Sequence, residues 1–195
     1  MPQHGTEIIV GISGASGVIY GLELLRVLQQ LGIRRHLVMT AAAKVNLQVE
    51  TTYRPEQVAA LADVVHEDED LTAPIASGSY RTRGMVVIPC SIKTLSAIAH
   101  SYGATLLVRA ADVTLKERRP LILVVRETPL HKGHLSLMQR AAELGAIILP
   151  PMPAFYHRPQ TIQDLIHHTL GKVLDCFGID HQLYRRWGEA WPPGA

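Results

Sequence analysis

The sequence predicts one α/β domain built on a parallel β-sheet with helices on both faces. Three observations lead there. Short runs rich in Val, Ile and Leu alternate with stretches of helical period. Strands separated by helices run parallel, because parallel neighbours need a crossover connection. The runs are also continuously apolar rather than alternating, as strands buried on both faces are. A chain of 195 residues is long enough for one well-buried domain and short for two. Its 47% hydrophobic and 18% charged content fits a compact protein rather than a disordered one.

The first strand is expected over 7–12, a β-branched run closed by a Gly/Ser turn. Residues 20–31 place Leu24, Leu25, Val27, Leu28 and Leu31 on one helical stripe, and Gly32 supplies the stop. The second strand is expected over 36–40 and a second helix over 41–50. A third strand covers 85–89 and ends at Cys90-Ser91, before helical sequence at 95–100. Then follow a helix over 106–119, a strand over 121–125, a helix over 135–144, a strand over 146–149 and a last long helix over 161–177. Two stretches, 66–83 and the proline-rich 150–159, break this rhythm and read as active-site loops or subunit contacts. Residues from about 178 to 195 are expected to form a tail that contributes to a subunit interface.

Charge narrows the function. The excess of Lys and Arg over Asp and Glu is 19 − 17 = +2, and no basic run is long enough for a nucleic-acid stripe. The nearest case, Lys116-Glu117-Arg118-Arg119, is broken by an acid and closed by Pro120. The first residues lack the layout of a signal peptide, and no apolar run is long enough to span a bilayer. Cys90 and Cys176 form no CxxC pattern, and the ten histidines have no metal-ligand spacing. A cytoplasmic protein with no metal, no nucleic acid and no membrane span is the expectation.

The turn Gly11-Ile12-Ser13-Gly14-Ala15-Ser16-Gly17 lies between the first strand and first helix, where an open α/β sheet offers backbone N–H groups to an anion. It is compatible with a phosphate cradle and with a tight turn that binds nothing. The dinucleotide fingerprint G-x-G-x-x-G is broken at Ser13, and Thr40 stands where an NAD site wants an acid for the ribose. Both departures point to a mononucleotide. Neither Ser13 nor Ser16 has the G-x-S-x-G frame of a hydrolase nucleophile.

Ser91-Ile92-Lys93-Thr94 repeats the strand-to-helix logic. Ser91 and Thr94 could serve a ligand there, and Ser91 could equally be an N-cap. Arg109 and Lys116 share a helix face with Asp112 between them, as a pocket wall or as a surface ion-pair ladder. Arg126 and Glu127 follow a strand end, where an Arg can grip phosphate and a Glu can move a proton. Taken alone, Glu50 passes for an ordinary exposed acid. The loop 153–159 gathers Phe155, Tyr156, His157 and Arg158, either to cover an apolar group or to pack a subunit contact.

Read together, these segments resemble the UbiX-type flavin prenyltransferases from end to end. The resemblance is carried by the Gly11–Gly17 turn with Tyr20-Gly21, by Ala76-Ser77-Gly78-Ser79, and by the run from Pro89 to Thr94. Arg109-Ala110-Ala111-Asp112-Val113, the run from Leu115 to Pro120, Arg126-Glu127-Thr128-Pro129, the run from Phe155 to Pro159, and Arg186-Trp187-Gly188 continue it. The resemblance implies a Rossmann-like (flavodoxin-like) flavoprotein, assembled as a homo-dodecamer with shared active sites. It implies FMN against Gly14, Ala15, Ser16, Thr40, Ser91, Ile92, Lys93, Thr94 and Arg126. Dimethylallyl phosphate is then held by Tyr156 and Lys172, with Arg109 and Trp187 in the substrate site. Lys116, Arg126 and Glu127 lie near the phosphate, and Glu50, helped by Ser16, transfers protons. The implied product is prenylated FMN for a UbiD-type decarboxylase, in quinone synthesis or in aromatic-acid breakdown. Two departures stand out: Thr40 replaces a Ser common in the family, and Lys172 replaces an Arg found in some members, keeping charge but losing the planar fork. A flavin-dependent cysteine decarboxylase of related architecture is disfavoured, because residues 73–79 lack the Asn of its P-A-S-A-N-T-type motif. The remaining rival, a non-catalytic flavin carrier, has no need of Glu50, Lys116, Glu127, Tyr156 and Lys172.

Overall fold

The computed structural model describes residues 7–188. Two compact units divide between Pro150 and Pro151. The first unit holds β1 (Ile8–Ile12), α1 (Val18–Gln30), β2 (Arg35–Met39), α2 (Ala41–Glu50), α3 (Pro55–Ala59) and β3 (Val64–His66). It continues through β4 (Gly84–Cys90), α4 (Ile92–Ala99), α5 (Leu106–Lys116), β5 (Leu121–Val125), α6 (Lys132–Glu143) and β6 (Ile147–Ile148). The second unit holds α7 (Ile162–Cys176) and the segments on either side of it.

The sheet is wholly parallel, in the order β3-β2-β1-β4-β5-β6. That is the doubly wound Rossmann order, in which the chain reverses direction between β1 and β4 and leaves a crevice at their carboxyl ends. Both sheet faces are buried, which explains the unbroken apolar runs. Ile9, Val38, Met85, Val87, Leu121 and Leu123 join the buried residues of α4, α5 and α6 in one core. The intervening Val10, Val86 and Ile122 are equally buried, on the face that α1 covers.

Gly21 sets how closely α1 lies on that face. A Cβ at this position would stand 2.5 Å from the Ile88 carbonyl oxygen and 2.7 Å from Ile12 Cδ1. A backbone oxygen cannot give way as a flexible side chain can. Gly21→Ala is therefore expected to destabilise the fold by about 1–3 kcal/mol. The urea midpoint should fall with an unchanged slope; an unchanged midpoint would mean that the helix has room to spare.

Element ends moved where capping chemistry decided them. α1 begins at Val18 rather than residue 20, because Gly17 takes a left-handed conformation (φ 97°) as its N-cap. α4 begins at Ile92 rather than 95, because Ser91 Oγ accepts the Thr94 N–H; the expected 91–94 turn is the helix's own first turn. α6 begins at Lys132, three residues earlier than expected, capped by His131. α5 stops at Lys116, short of the expected 119. Unforeseen among the described residues are α3, of five residues, and β3, a three-residue edge strand with Val65 half exposed. Neither is long enough to show a period.

Candidate active site

The crevice at the switch point is held together by Ser13. It is fully buried, its N–H and hydroxyl both donate to the Pro89 carbonyl (3.1 and 3.0 Å), and its Oγ accepts the Ser91 N–H at 2.8 Å. The residue that breaks the dinucleotide fingerprint thus stitches the β1–α1 turn to the β4–α4 turn. Gly14 lets this turn lie on α2, since a Cβ there would come within 2.4 Å of Ala42 Cβ. Ala15 is buried in the turn, and Ser16 is exposed. Thr40 caps α2 by accepting the Ala43 N–H at 3.1 Å, and its own N–H donates to the Ile12 carbonyl.

Glu50 reaches the same place from the far end of α2. Its Oε2 accepts the Gly17 N–H at 2.8 Å and the Val18 N–H at 3.2 Å, at the positive end of α1. The sequence left this helix end open to an anion from a ligand or to none. The chain's own carboxylate takes it, with the side chain still exposed to solvent.

At the start of α4, Ser91 Oγ accepts the Thr94 N–H and donates to Thr94 Oγ1 at 3.1 Å. The N–H groups of Ile92 and Lys93 lie in that helix's first turn, where no carbonyl within the helix can pair with them. Arg126 is tied to β4 by its N–H, which donates to the Cys90 carbonyl at 3.1 Å, and its side chain is half-buried at the end of β5. Glu127 is exposed and accepts the adjacent Thr128 N–H at 3.0 Å.

The α5 cations divide. Arg109 pairs with Asp112 at 3.3 Å, as its spacing predicts, and donates from Nε to the Ala76 carbonyl at 3.1 Å. Lys116 does not join that ladder but pairs with Glu117, and holds the Glu117 carboxyl below the usual carboxylate range. The pair lies on Gly78, where a Cβ would stand 2.1 Å from Glu117 Oε1. Arg119 straps the same loop down by donating to the Gly78 and Tyr80 carbonyls at 2.8 and 2.7 Å. Sequence reasoning singled out neither Glu117 nor Arg119, although both stand in the Leu115–Pro120 run. Within the Ala76-Ser77-Gly78-Ser79 motif, Gly78 is thereby explained: it is where Lys116 and Glu117 rest.

In the second unit Tyr156, Lys172 and Trp187 gather around α7. The rings of Tyr156 and Trp187 meet edge-on at 5.6 Å, and Tyr156 Oη lies 3.3 Å from His168 Nε2. Lys172 follows His168 by one helical turn and pairs with Asp175 at 3.6 Å. Asp175 also takes hydrogen bonds from Tyr184 (2.6 Å), Arg186 (2.7 Å) and His181 (3.1 Å). Burial raises the Asp175 pKa, but the bonds from Arg186, Tyr184 and His181 outweigh it and hold the carboxyl far below its usual range. Gly171 leaves room for this arrangement, because a Cβ there would meet the Tyr184 and His181 rings at 2.4 and 2.7 Å. Sequence reasoning missed His168, Asp175 and Tyr184; the i,i+3 spacing of Lys172 and Asp175 was the available signal.

The lowered pKa fixes the sign of a pH effect. A carboxyl whose folded pKa lies below its unfolded value stabilises the fold above the unfolded pKa, near 4, and loses that contribution as pH falls. The urea midpoint of the wild type should exceed that of Asp175→Asn at pH 7. The gap should shrink steadily as pH falls below 4; a gap independent of pH would remove Asp175 as its source.

A Rossmann-order sheet, with small and hydroxyl residues at its switch point and a cation closing β5, defines a nucleotide-binding α/β protein. Its class is the flavoproteins, since the Flavoprotein family model matches residues 2–173. The chain is 60% identical to the flavin prenyltransferase UbiX of Escherichia coli (strain K12) over 93% of its own length and 97% of that protein's. Identity to the UbiX of Thauera aromatica is 55%, covering 93% of both chains. The chain belongs to the UbiX flavin prenyltransferase family. Among solved structures, AnUbiX (PadA1) in complex with FMN and dimethylallyl pyrophosphate superposes with a TM-score of 0.92 at 46% identity, covering 95% of this chain and 98% of that one. A dodecameric FMN-dependent UbiX-like decarboxylase from Escherichia coli O157:H7 gives a TM-score of 0.90 at 48% identity, covering 93% and 98%. The cysteine decarboxylase TvaF, at 14% identity and a TM-score of 0.65, shares the fold alone.

Proposed function

We propose that the protein joins a dimethylallyl group from dimethylallyl phosphate to N5 and C6 of reduced FMN, and passes the prenylated FMN to a UbiD-type decarboxylase. The observation that carries this reading is the 60% identity to a flavin prenyltransferase across nearly the whole of both chains. The residues fit a flavin phosphate. The first-turn amides of Ile92 and Lys93, the exposed hydroxyl of Ser16 and the half-buried Arg126 supply donors suited to an anion. FMN, when bound in its reduced form, supplies the nucleophilic ring atoms.

The chain's own residues do the rest. Gly14, Ala15 and Thr40 shape the crevice, while Ser91 and Thr94 hold the α4 turn. Lys116 and Arg126 stabilise negative charge on the leaving phosphate, with Glu127 beside them. Tyr156 and Lys172 bind that phosphate before it leaves. The faces of Tyr156 and Trp187 favour the positive charge that develops on the allyl group. Closing the ring needs one proton delivered to the alkene and one taken from C6, and Glu50 handles part of that traffic through its solvent-exposed carboxylate. A homo-dodecamer accords with the dodecameric assembly of the solved relative, and within it we place active sites shared between subunits. No helix among the described residues is long and apolar enough to cross a membrane, and we place the reaction in the cytoplasm with its decarboxylase.

The test is anaerobic. Purified protein is mixed with reduced FMN and dimethylallyl phosphate, or the pyrophosphate found with AnUbiX, and the released flavin is weighed. A gain of one prenyl unit is expected. Tightly bound but unmodified FMN with both donors would leave a flavin carrier.

A further inference from the structure

Tyr156 is assigned to the donor phosphate, yet a phenol has one proton to give. A phosphate offers only acceptors at neutral pH. If Tyr156 donates to His168, nothing remains for the ligand; if it accepts from His168, its proton is free. The 3.3 Å contact between Tyr156 Oη and His168 Nε2 therefore has a direction that matters.

The imidazole is held firmly in place. His157 stacks on it with ring centroids 5.0 Å apart and planes 6° from parallel. The Tyr184 ring lies 4.7 Å away, itself fixed by its bond to Asp175. Tyr156 meets the imidazole edge-on at 5.7 Å. Burial first, then the neighbouring His157 and Lys172, push the His168 pKa down, and Asp175 opposes them. The ring is thus neutral at pH 7 and carries one N–H. Lys172, one turn further along α7, puts its ammonium on the same helix face.

We propose that His168 is a positioning residue for the donor phosphate: its Nε2–H donates to Tyr156 Oη and turns the phenol's own proton toward the ligand. Hydroxyl, imidazole and ammonium then act as one unit, with two donors, Tyr156 and Lys172, facing the anion. This inference rests on the reading of Tyr156 as a donor-site residue.

The test uses two replacements of similar length. Gln at 168 retains an N–H donor, and Met does not. H168M should raise KM for dimethylallyl phosphate about five- to tenfold, the loss of roughly one hydrogen bond, with kcat and FMN affinity nearly unchanged. H168Q should bring KM back toward the wild-type value. H168L serves if H168M does not assemble. In a double-mutant cycle, H168M should add nothing to Y156F, because its effect passes through the phenol. Additive effects, or an H168Q variant no better than H168M, would overturn the proposal while leaving the donor site standing. Y156F with a wild-type KM would overturn both.

Discussion

Glu50→Gln is expected to slow prenylation by roughly 10²- to 10⁴-fold, the usual worth of a general acid–base group, while FMN affinity stays within a few-fold. The substitution is chosen for what it preserves. Glu50 Oε2 accepts the Gly17 and Val18 N–H groups, and the Gln amide oxygen can accept both in its place. The α1–α2 arrangement therefore survives, and the ability to take up a proton does not. Single-turnover measurement with reduced FMN separates the capping that the geometry shows from the proton transfer proposed for this residue. If turnover is retained, Glu50 is only the cap of α1, and another group handles the proton.

Lys116→Met is expected to cost roughly 10²- to 10³-fold in kcat, the usual worth of one preorganised donor to developing negative charge. The Lys116–Glu117 pair sharpens this expectation. Removing the cation alone leaves the Glu117 carboxylate without its lysine partner, next to the leaving phosphate that Lys116 is proposed to stabilise. Lys116→Met combined with Glu117→Gln should therefore be less impaired than Lys116→Met alone. Equal impairment would show that the neighbouring acid does not face the phosphate, and full activity in Lys116→Met would exclude the lysine from the reaction.

The sheet was legible in the sequence because burial on both faces leaves an unmistakable mark: β5 at Leu121–Val125 falls where it was expected. The edge was not, since β3 has only three residues and one exposed valine. Ser91, legible as a possible N-cap, does cap α4, and the helix therefore starts at Ile92, before the expected 95. The connections of the candidate site were not legible. Glu50 taken alone read as an ordinary exposed acid, and its bonds to residues more than thirty positions away left no mark in the sequence. Ser13 read as a break in the dinucleotide fingerprint and proved a buried tie between two turns. His168 lay hidden among ten histidines, because stacking on a ring neighbour leaves no spacing to detect.

The central claim is that two bonds form between the donor's dimethylallyl unit and the flavin. Incubating the protein anaerobically with reduced FMN and ¹³C-labelled dimethylallyl phosphate, then recording the NMR spectrum of the released flavin, tests it most directly. The account predicts labelled carbons bonded to N5 and to C6, in a fourth ring. A flavin bearing no label, or a label on N5 alone after many turnovers, would contradict it.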